Sequence, residues 1–297
     1  MYLKAFGGGR SVFLLSLLIF AGCVGGQAQK MSPEEIIAKH VASIGKADMI
    51  ADSKRIMAIG SSEFRRHQPE QTANGRAVLA SNGTDMALFS TFNADNYPME
   101  RIGLFNNKIN IPAVKLGARS PLGAFLRSYD KTLGSRIFGG CIFSTWLLFD
   151  MEKTGKFETE GKKKIDNRDA WVLNYTPKGG LTGGSYIKLY FDAENFHHLR
   201  TVYRQKEPEG TTPSSGASRG GVQDWNADMA NNGFTLTEDF SDVHSDKGLL
   251  LPHKYSIAFV IDSSGGTGET DWDFTIEEYR LVRDFPADFF TFNGSSK

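Results

Sequence analysis

The sequence predicts a mainly β fold with helices (α+β), in which one curved, open antiparallel sheet wraps around helices on its apolar side. Three observations predict it. Apolar and polar residues alternate with period two in segment after segment between Met86 and Glu277, giving each segment one apolar and one mostly polar face. Turn signals such as Asn82-Gly83, Asn106-Asn107, Asp166-Asn167 and Asp246-Lys-Gly248 separate these segments, so hairpins dominate. Amphipathic helical stretches supply a cover for the apolar face, which a closed barrel would not need.

The first residues predict export. Lys4 and Arg10 flank the apolar run from Val12 to Ala21, no acidic residue precedes Glu34, and Ala21, Gly22, Gly25, Gly26 and Ala28 follow. A run of about 10 residues is short of the roughly 20 a spanning helix needs, and fits a secretory signal peptide over residues 1–28. Two readings of its end stay open. Phe20-Ala21-Gly22-Cys23 resembles the bacterial lipobox, with Phe20 for the usual leucine, and would make Cys23 a lipidated membrane anchor. Cleavage after Gly26-Gln27-Ala28 would instead remove Cys23. Both readings put the chain in the periplasm or cell envelope.

Residues 29–297 read as one domain, without an internal repeat or a domain-sized change in composition. Ser32 is a good N-cap, Pro33 suits the first helical position, and Glu35 completes a capping box. Ile36, Ile37, Val41 and Ile44 form the apolar face of this helix, Gly45 ends it, and a second short helix spans Met49 to Ile56. The apolar strand positions are then Met86, Leu88 and Phe92; Trp171, Leu173 and Tyr175; Ile187, Leu189 and Phe191; Tyr255, Ile257, Phe259 and Ile261; and Trp272, Phe274 and Ile276. Ser120-Pro121 opens a helix running to about Leu133, with Leu122, Phe125, Leu126 and Tyr129 on one side. The Gly-, Ser-, Pro- and charge-rich stretch at about 205–232 is predicted to be a flexible loop.

Composition narrows the function. Thirty-four Lys and Arg balance 34 Asp and Glu, and no concentrated basic face points to nucleic acid. The two cysteines are Cys23 and Cys141; with Cys23 removed or acylated, no disulfide holds the fold. His197 and His198 lie beside Asp192 and Glu194, but adjacent strand residues point to opposite faces, so a solvated pair flanking a turn is expected. His40 and His67 stand alone in the sequence, His244 and His253 are separated by a turn, and no Cys/His spacing resembles a zinc site; no metal and no cofactor are expected. Asp239, Asp242 and Asp246 form one carboxylate cluster, and Asp271, Asp273, Glu277 and Glu278 a second, read as the polar face of a strand. The glycines from 265 to 268 read as a hairpin turn, no Gly-x-Ser-x-Gly elbow is present, and Cys141 reads as a buried small hydrophobe; no catalytic residue is assigned.

The aromatic supply is more informative. Trp171, Tyr175, Phe191, Tyr255, Phe259, Trp272 and Phe274 share one face if the alternation holds, with Phe125, Leu126 and Tyr129 as an opposing lid. Most are expected as plain core. Some are expected to border an apolar cavity between sheet and helices, which makes these ten the candidate apolar-ligand residues.

Four stretches resemble a known family. Ser32-Pro-Glu-Glu-Ile-Ile-Ala-Lys-His-Val-Ala-Ser-Ile-Gly45 looks like the first helix of the periplasmic lipoprotein carriers, the outer-membrane lipoprotein-sorting (LolA-like) superfamily. Lys163-Lys-Lys-Ile-Asp-Asn-Arg-Asp-Ala-Trp-Val-Leu-Asn-Tyr175 resembles their central hairpin, and Ile187-Lys-Leu-Tyr-Phe-Asp-Ala-Glu-Asn-Phe-His-His-Leu-Arg200 the next one. Asp239-Phe-Ser-Asp-Val, followed by Gly248-Leu-Leu-Leu-Pro-His253, is similar to their late strand pair. The resemblance implies a half-open antiparallel β-barrel whose concave face is covered by helices, and binding of lipoprotein acyl chains. A lipidated Cys23 would depart from a freely shuttling carrier and favour an anchored receptor or sensor.

Three functional expectations follow. The first is non-enzymatic binding of an apolar ligand, a lipid or a lipoprotein acyl chain, in the bacterial cell envelope. The second is an envelope sensor or scaffold of the same fold that binds a protein partner. The third, a hydrolase, needs two carboxylates converging in a polar cleft at roughly 5 to 9.5 Å.

Overall fold

The computed structural model describes residues 31–114, 119–129, 133–150, 155–181, 184–205, 233–263 and 266–292. The expected signal peptide with Cys23, and the expected loop beyond Gln205, lie outside the described residues. Twelve strands pair: β1 (Ile56–Arg66), β2 (Gln71–Ser81), β3 (Met86–Phe92), β4 (Met99–Phe105), β5 (Lys108–Asn110), β6 (Lys156–Ile165), β7 (Arg168–Thr176), β8 (Tyr186–Asp192), β9 (His198–Gln205), β10 (Gly233–Asp246), β11 (Leu249–Ser263) and β12 (Gly266–Leu281). They form one sheet in the order β5-β4-β3-β2-β1-β12-β11-β10-β9-β8-β7-β6, antiparallel at every step. Among the described residues β5 and β6 stay unpaired as edges, so the barrel is half-open.

The hairpins follow from turn chemistry. Asn106-Asn107 and Asp166-Asn167 both have positive φ at the two central residues, which Asn and Asp tolerate and which matches the twist of the flanking strands. Lys247-Gly248 turns β10 into β11 in the same way. Register shifts at Ile59/Gly60, Thr159/Gly161 and Tyr190/Phe191 bend the strands and help the sheet to curl.

Helix α1 (Pro33–Ile44) begins as predicted: the Glu35 N–H donates to Ser32 Oγ at 3.2 Å, and the Ser32 N–H donates to Glu35 Oε2 at 2.9 Å. Its buried face is Ile36, Ile37, His40 and Ile44; Val41, predicted on that face, is half-buried at its border. Helix α2 (Ala47–Asp52) ends earlier than the sequence suggested, because Ile56 is recruited as the first rung of β1. Helix α3 is Pro121–Ser128, capped by Ser120 Oγ, which accepts from the Gly123 N–H. The segment from Leu133 to Asp150 carries two 3-10 turns, Gly140–Ile142 and Leu147–Phe149. Side chains of α1, α3 and this segment join the inward residues of the strands in one continuous core. Each fully buried Ile, Leu or Phe in it contributes about 1.5–3 kcal/mol.

The outer face divides in two. Over β12 it is ionic: Arg76 grips Glu277 through both guanidinium nitrogens at 2.7 and 2.9 Å, and Arg65 reaches Asp273 at 3.1 Å. Over β2 to β4 it is apolar and roofed by the C-terminal segment, where Phe285, Phe289, Phe290 and Phe292 pack on Val78, Ala80, Ala87, Phe89 and Phe105. Gly103 lets this roof settle, since a Cβ there would sit 2.7 Å from the Phe292 ring. Ala87, which alternates with the inward Met86 and Leu88 and so points to the outer face, is fully buried for this reason.

Candidate functional site

The predicted alternation puts the candidate aromatics together. Trp171, Tyr175, Phe191, Tyr255, Phe259, Trp272, Phe274, Phe125 and Leu126 are all buried in the one core, and Tyr129 packs half-buried against it. Phe125 of α3 meets Phe259 of β11 at 5.2 Å between ring centroids, and Phe259 stacks on Phe234 at 5.9 Å. Tyr255 stacks on Phe240 at 5.1 Å and on Phe274 at 5.4 Å. Tyr175 lines the larger of the two cavities described below; the other nine candidates line neither.

Buried polar groups tie the covering segments to the sheet. Glu238 of β10 is fully buried; its Oε1 accepts from the Tyr255 hydroxyl at 2.5 Å and the Gly139 N–H at 2.7 Å, and its Oε2 from the Tyr203 hydroxyl at 2.7 Å. Gly139 has φ 76°, and a Cβ on it would lie 2.2 Å from the Phe143 ring, so only glycine presents that N–H here. Burial pushes the Glu238 carboxyl up to about 7 against the pull of its three donors. Glu100 of β4 repeats the arrangement: Tyr97 donates to it at 2.6 Å and accepts from Trp272 Nε1–H at 2.7 Å, and burial raises this carboxyl to about 7 as well.

The third anchor is aromatic. His40 Nδ1 lies 2.9 Å from the Phe196 carbonyl and so carries the proton, leaving Nε2 to accept from Trp146 Nε1–H at 3.1 Å. Burial lowers His40 to about 4, which keeps it neutral. Trp146 also stacks on His198 at 5.1 Å, and His198 on Phe240 at 4.4 Å. The solvated His197-His198 pair expected from the sequence is therefore corrected: His197 is half-buried and His198 enters the core, where burial holds it well below its ordinary value. Both carboxylates and His198 escaped the sequence reading. The signal that could have found Glu238 is its parity, since Phe234, Leu236, Glu238 and Phe240 all point inward along β10.

Open space lies at the margin of the covering segments. An apolar groove of about 860 Å³ runs along α1 and α2, lined by Ile37, Ala38, Val41, Ala42, Ala47, Ile50 and Leu148, with Glu34 and Lys46 as its charged side chains. A second cleft, of about 960 Å³, has Ile109, Trp146, Leu147, Phe149 and Tyr175 on its walls beside Lys108, Arg127, Arg136, Lys178 and Asp150. The 3-10 turn Leu147–Phe149 is shared, since Leu148 faces the groove while Leu147 and Phe149 face the cleft.

The polar clusters take structural places. Asp273, Glu277 and Glu278 pair with Arg65, Arg76 and Arg280, and Asp239 pairs with Arg200 at 2.5 Å. His67, isolated in the sequence, meets Asp271 at 2.7 Å with Glu269 nearby. These three offer ligand-type atoms within 4.8 Å of one another, but Arg65 stands 3.7 Å from the same Asp271 oxygen and competes with any cation there. His244 and His253 stack at 3.6 Å across their turn. Cys141 is buried, and burial pushes its thiol up to about 12, which leaves it without thiolate character.

No family model matches the chain, and no curated protein matches it. Among solved structures it is similar to a Vibrio parahaemolyticus domain named for outer membrane lipoprotein sorting, at 12% identity over 86% of this chain and 95% of that one, with a TM-score of 0.44. It is similar to a DUF1329 family protein from Desulfovibrio piger at 13% identity over 86% and 95%, TM-score 0.45. It is also similar to a LolA superfamily protein from Nitrosomonas europaea at 12% identity over 84% and 98%, TM-score 0.40. Identities and TM-scores are low, and the fold described above stands on its own strand pairing.

Proposed function

We propose that this domain binds an acyl chain, without catalysis, in the groove along α1 and α2, and does so in the bacterial cell envelope. The observation that carries the reading is the groove itself: about 860 Å³ of open space lined by apolar side chains beside the continuous core. Sites of this size and character are typical for small apolar ligands. The exposed alanines 38, 42 and 47 keep the groove open between Ile37, Val41, Ile50 and Leu148. The family resemblance of the sequence implies the same ligand class, and the basic, apolar start of the chain implies the compartment.

The test is uptake of a fluorescent fatty-acyl probe by the domain purified without detergent, with native mass spectrometry of the lipid extract. Stoichiometric uptake that Ala42→Trp abolishes, without loss of folding, supports the reading. Uptake that ignores both Ala42→Trp and Ala38→Trp moves the ligand elsewhere and sinks it. The burial of nine of the ten candidate side chains in the core favours a second reading, in which an apolar helix of a partner protein lies in the same groove and the domain serves as an envelope sensor or scaffold. In that case the acyl probe fails to bind, while an amphipathic peptide binds and is displaced by the same tryptophans.

A further inference from the structure

We infer that the cleft beside the groove holds the anionic group, a phosphate or a carboxylate, of an amphiphile whose chain lies on the apolar walls. The inference rests on the acyl-chain reading for the apolar part of the ligand only. Its first support is charge. Among the described residues, Lys108, Arg127, Arg136 and Lys178 line the cleft, against the one carboxylate of Asp150. Composition does not explain this, because the chain as a whole balances 34 cations with 34 anions.

The second support is the contrast with other cations. Elsewhere on the sheet Arg65, Arg76, Lys188, Arg200, Arg204 and Arg280 each stand within 4.0 Å of a carboxylate, while among the described residues Arg66, Arg101, Lys162 and Lys254, spread over separate strands, have no such pair. Among the described residues none of the four cleft cations has such an ion pair; Arg136 instead donates to the Asn107 amide oxygen at 2.7 Å. The charge of Arg127 is felt nearby: burial first, then this guanidinium, lowers Arg119. Like charges gathered in one concave site raise the local concentration of anions.

The third support is the walls. Trp146 and Phe149 border the cleft beside these cations, and Leu148 of the same turn enters the acyl groove. A molecule with a charged head and an apolar tail has a matching surface for each part. Guanidinium groups suit this role because they grip phosphate and carboxylate oxygens in pairs.

The experiment compares three ligands by titration calorimetry on the full exported chain: oleoyl lysophosphatidic acid, the neutral monoacylglycerol of the same chain, and glycerol 3-phosphate. The lysophosphatidic acid is expected to bind about tenfold more tightly than the neutral lipid at low salt, the scale of one or two charge-assisted contacts. That advantage should shrink at high salt and vanish in the double variant Arg127→Gln, Lys178→Gln. Both side chains are exposed, so the variant should keep its melting temperature, and a preserved melting temperature is part of the expected result. Equal binding of both lipids, or a preference that survives the double variant, overturns the anionic site and leaves the acyl-chain reading standing. Glycerol 3-phosphate binding as tightly as the lysophosphatidic acid identifies a plain anion site and overturns the amphiphile. Binding of neither lipid overturns the acyl-chain reading, and this inference with it.

Discussion

The floor of the curved sheet and its margin are built from the same kinds of residue, and they differ in what they leave uncovered. On the floor, Phe234, Phe240, Tyr255, Phe259 and Trp272 share one core with α3 and the segment from Leu133 to Asp150. Their polar atoms are bound there, Tyr255 donating to Glu238 and Trp272 to Tyr97. At the margin, Val41, Ile50, Trp146 and Phe149 border open space. The difference lies in the covering segments. They end at α1 and α2, and small side chains there leave a gap that larger ones would fill. Stability should therefore belong to the floor and binding to the margin, and substitutions can separate the two.

The largest effect is expected from Glu238→Ala. It leaves two tyrosine hydroxyls and the Gly139 N–H without their acceptor in the buried core, which costs about 3 kcal/mol or more in denaturant unfolding. Acyl-probe affinity of the folded fraction should not change; if affinity falls while stability holds, the floor is part of the site.

Next comes the pH dependence of Glu238. Its folded value is raised, so its contribution to stability is fully present below the ordinary 4.5 and is lost as pH rises through about 7. Glu238→Gln should flatten that decline by on the order of 1–3 kcal/mol between pH 5 and 8. His40 acts in the opposite sense: its folded value is lowered, so its contribution is present above 6.5 and is lost as pH falls through about 4. An unchanged pH profile in the Glu238→Gln variant would mean that another group carries the slope.

Trp146→Phe is smaller and more informative. It removes the donor to His40 Nε2 and should cost about 1–2 kcal/mol, yet Trp146 also borders the cleft, so both stability and lipid affinity should move. A change in only one of them would assign Trp146 to one region. The smallest effect on folding belongs to Ala42→Trp, expected within about 0.5 kcal/mol because the position is exposed, while acyl binding is lost.

Much of this architecture was legible in the sequence. The hairpins were, because residues such as Asp166-Asn167 and Asn106-Asn107 mark backbone that few other pairs adopt. The N-terminus of α1 was, because Ser32 and Glu35 satisfy each other within four residues. Strands β1 and β2 were much less visible. Their inward positions include Ser62, Ala73 and Ala77, too small to give an apolar rhythm, and Gly75 is held so close to the Thr91 carbonyl that a side chain has no room. The groove and the cleft left no signal at all. Leu148 faces the same groove as Ala38 and Ala42, and Arg127 the same cleft as Lys178, only after elements distant in the chain have folded together.

The strand order carries one more consequence. Two meanders run outward from the middle of the sheet, β1 to β5 on one side and β12 back to β6 on the other, and each is assembled from neighbours in sequence. The seam that joins them is β1 against β12, where Arg65 and Asp273 meet although 208 residues separate them. Such a closure is slow, since most of the chain must be ordered before the pairing is rewarded. A chain that folds as it is synthesised can build its first meander at once, but the edge of β1 stays open until the last strand arrives. Until then that edge is the most vulnerable surface of the nascent protein, and a chaperone that shields exposed strands would have its main task there.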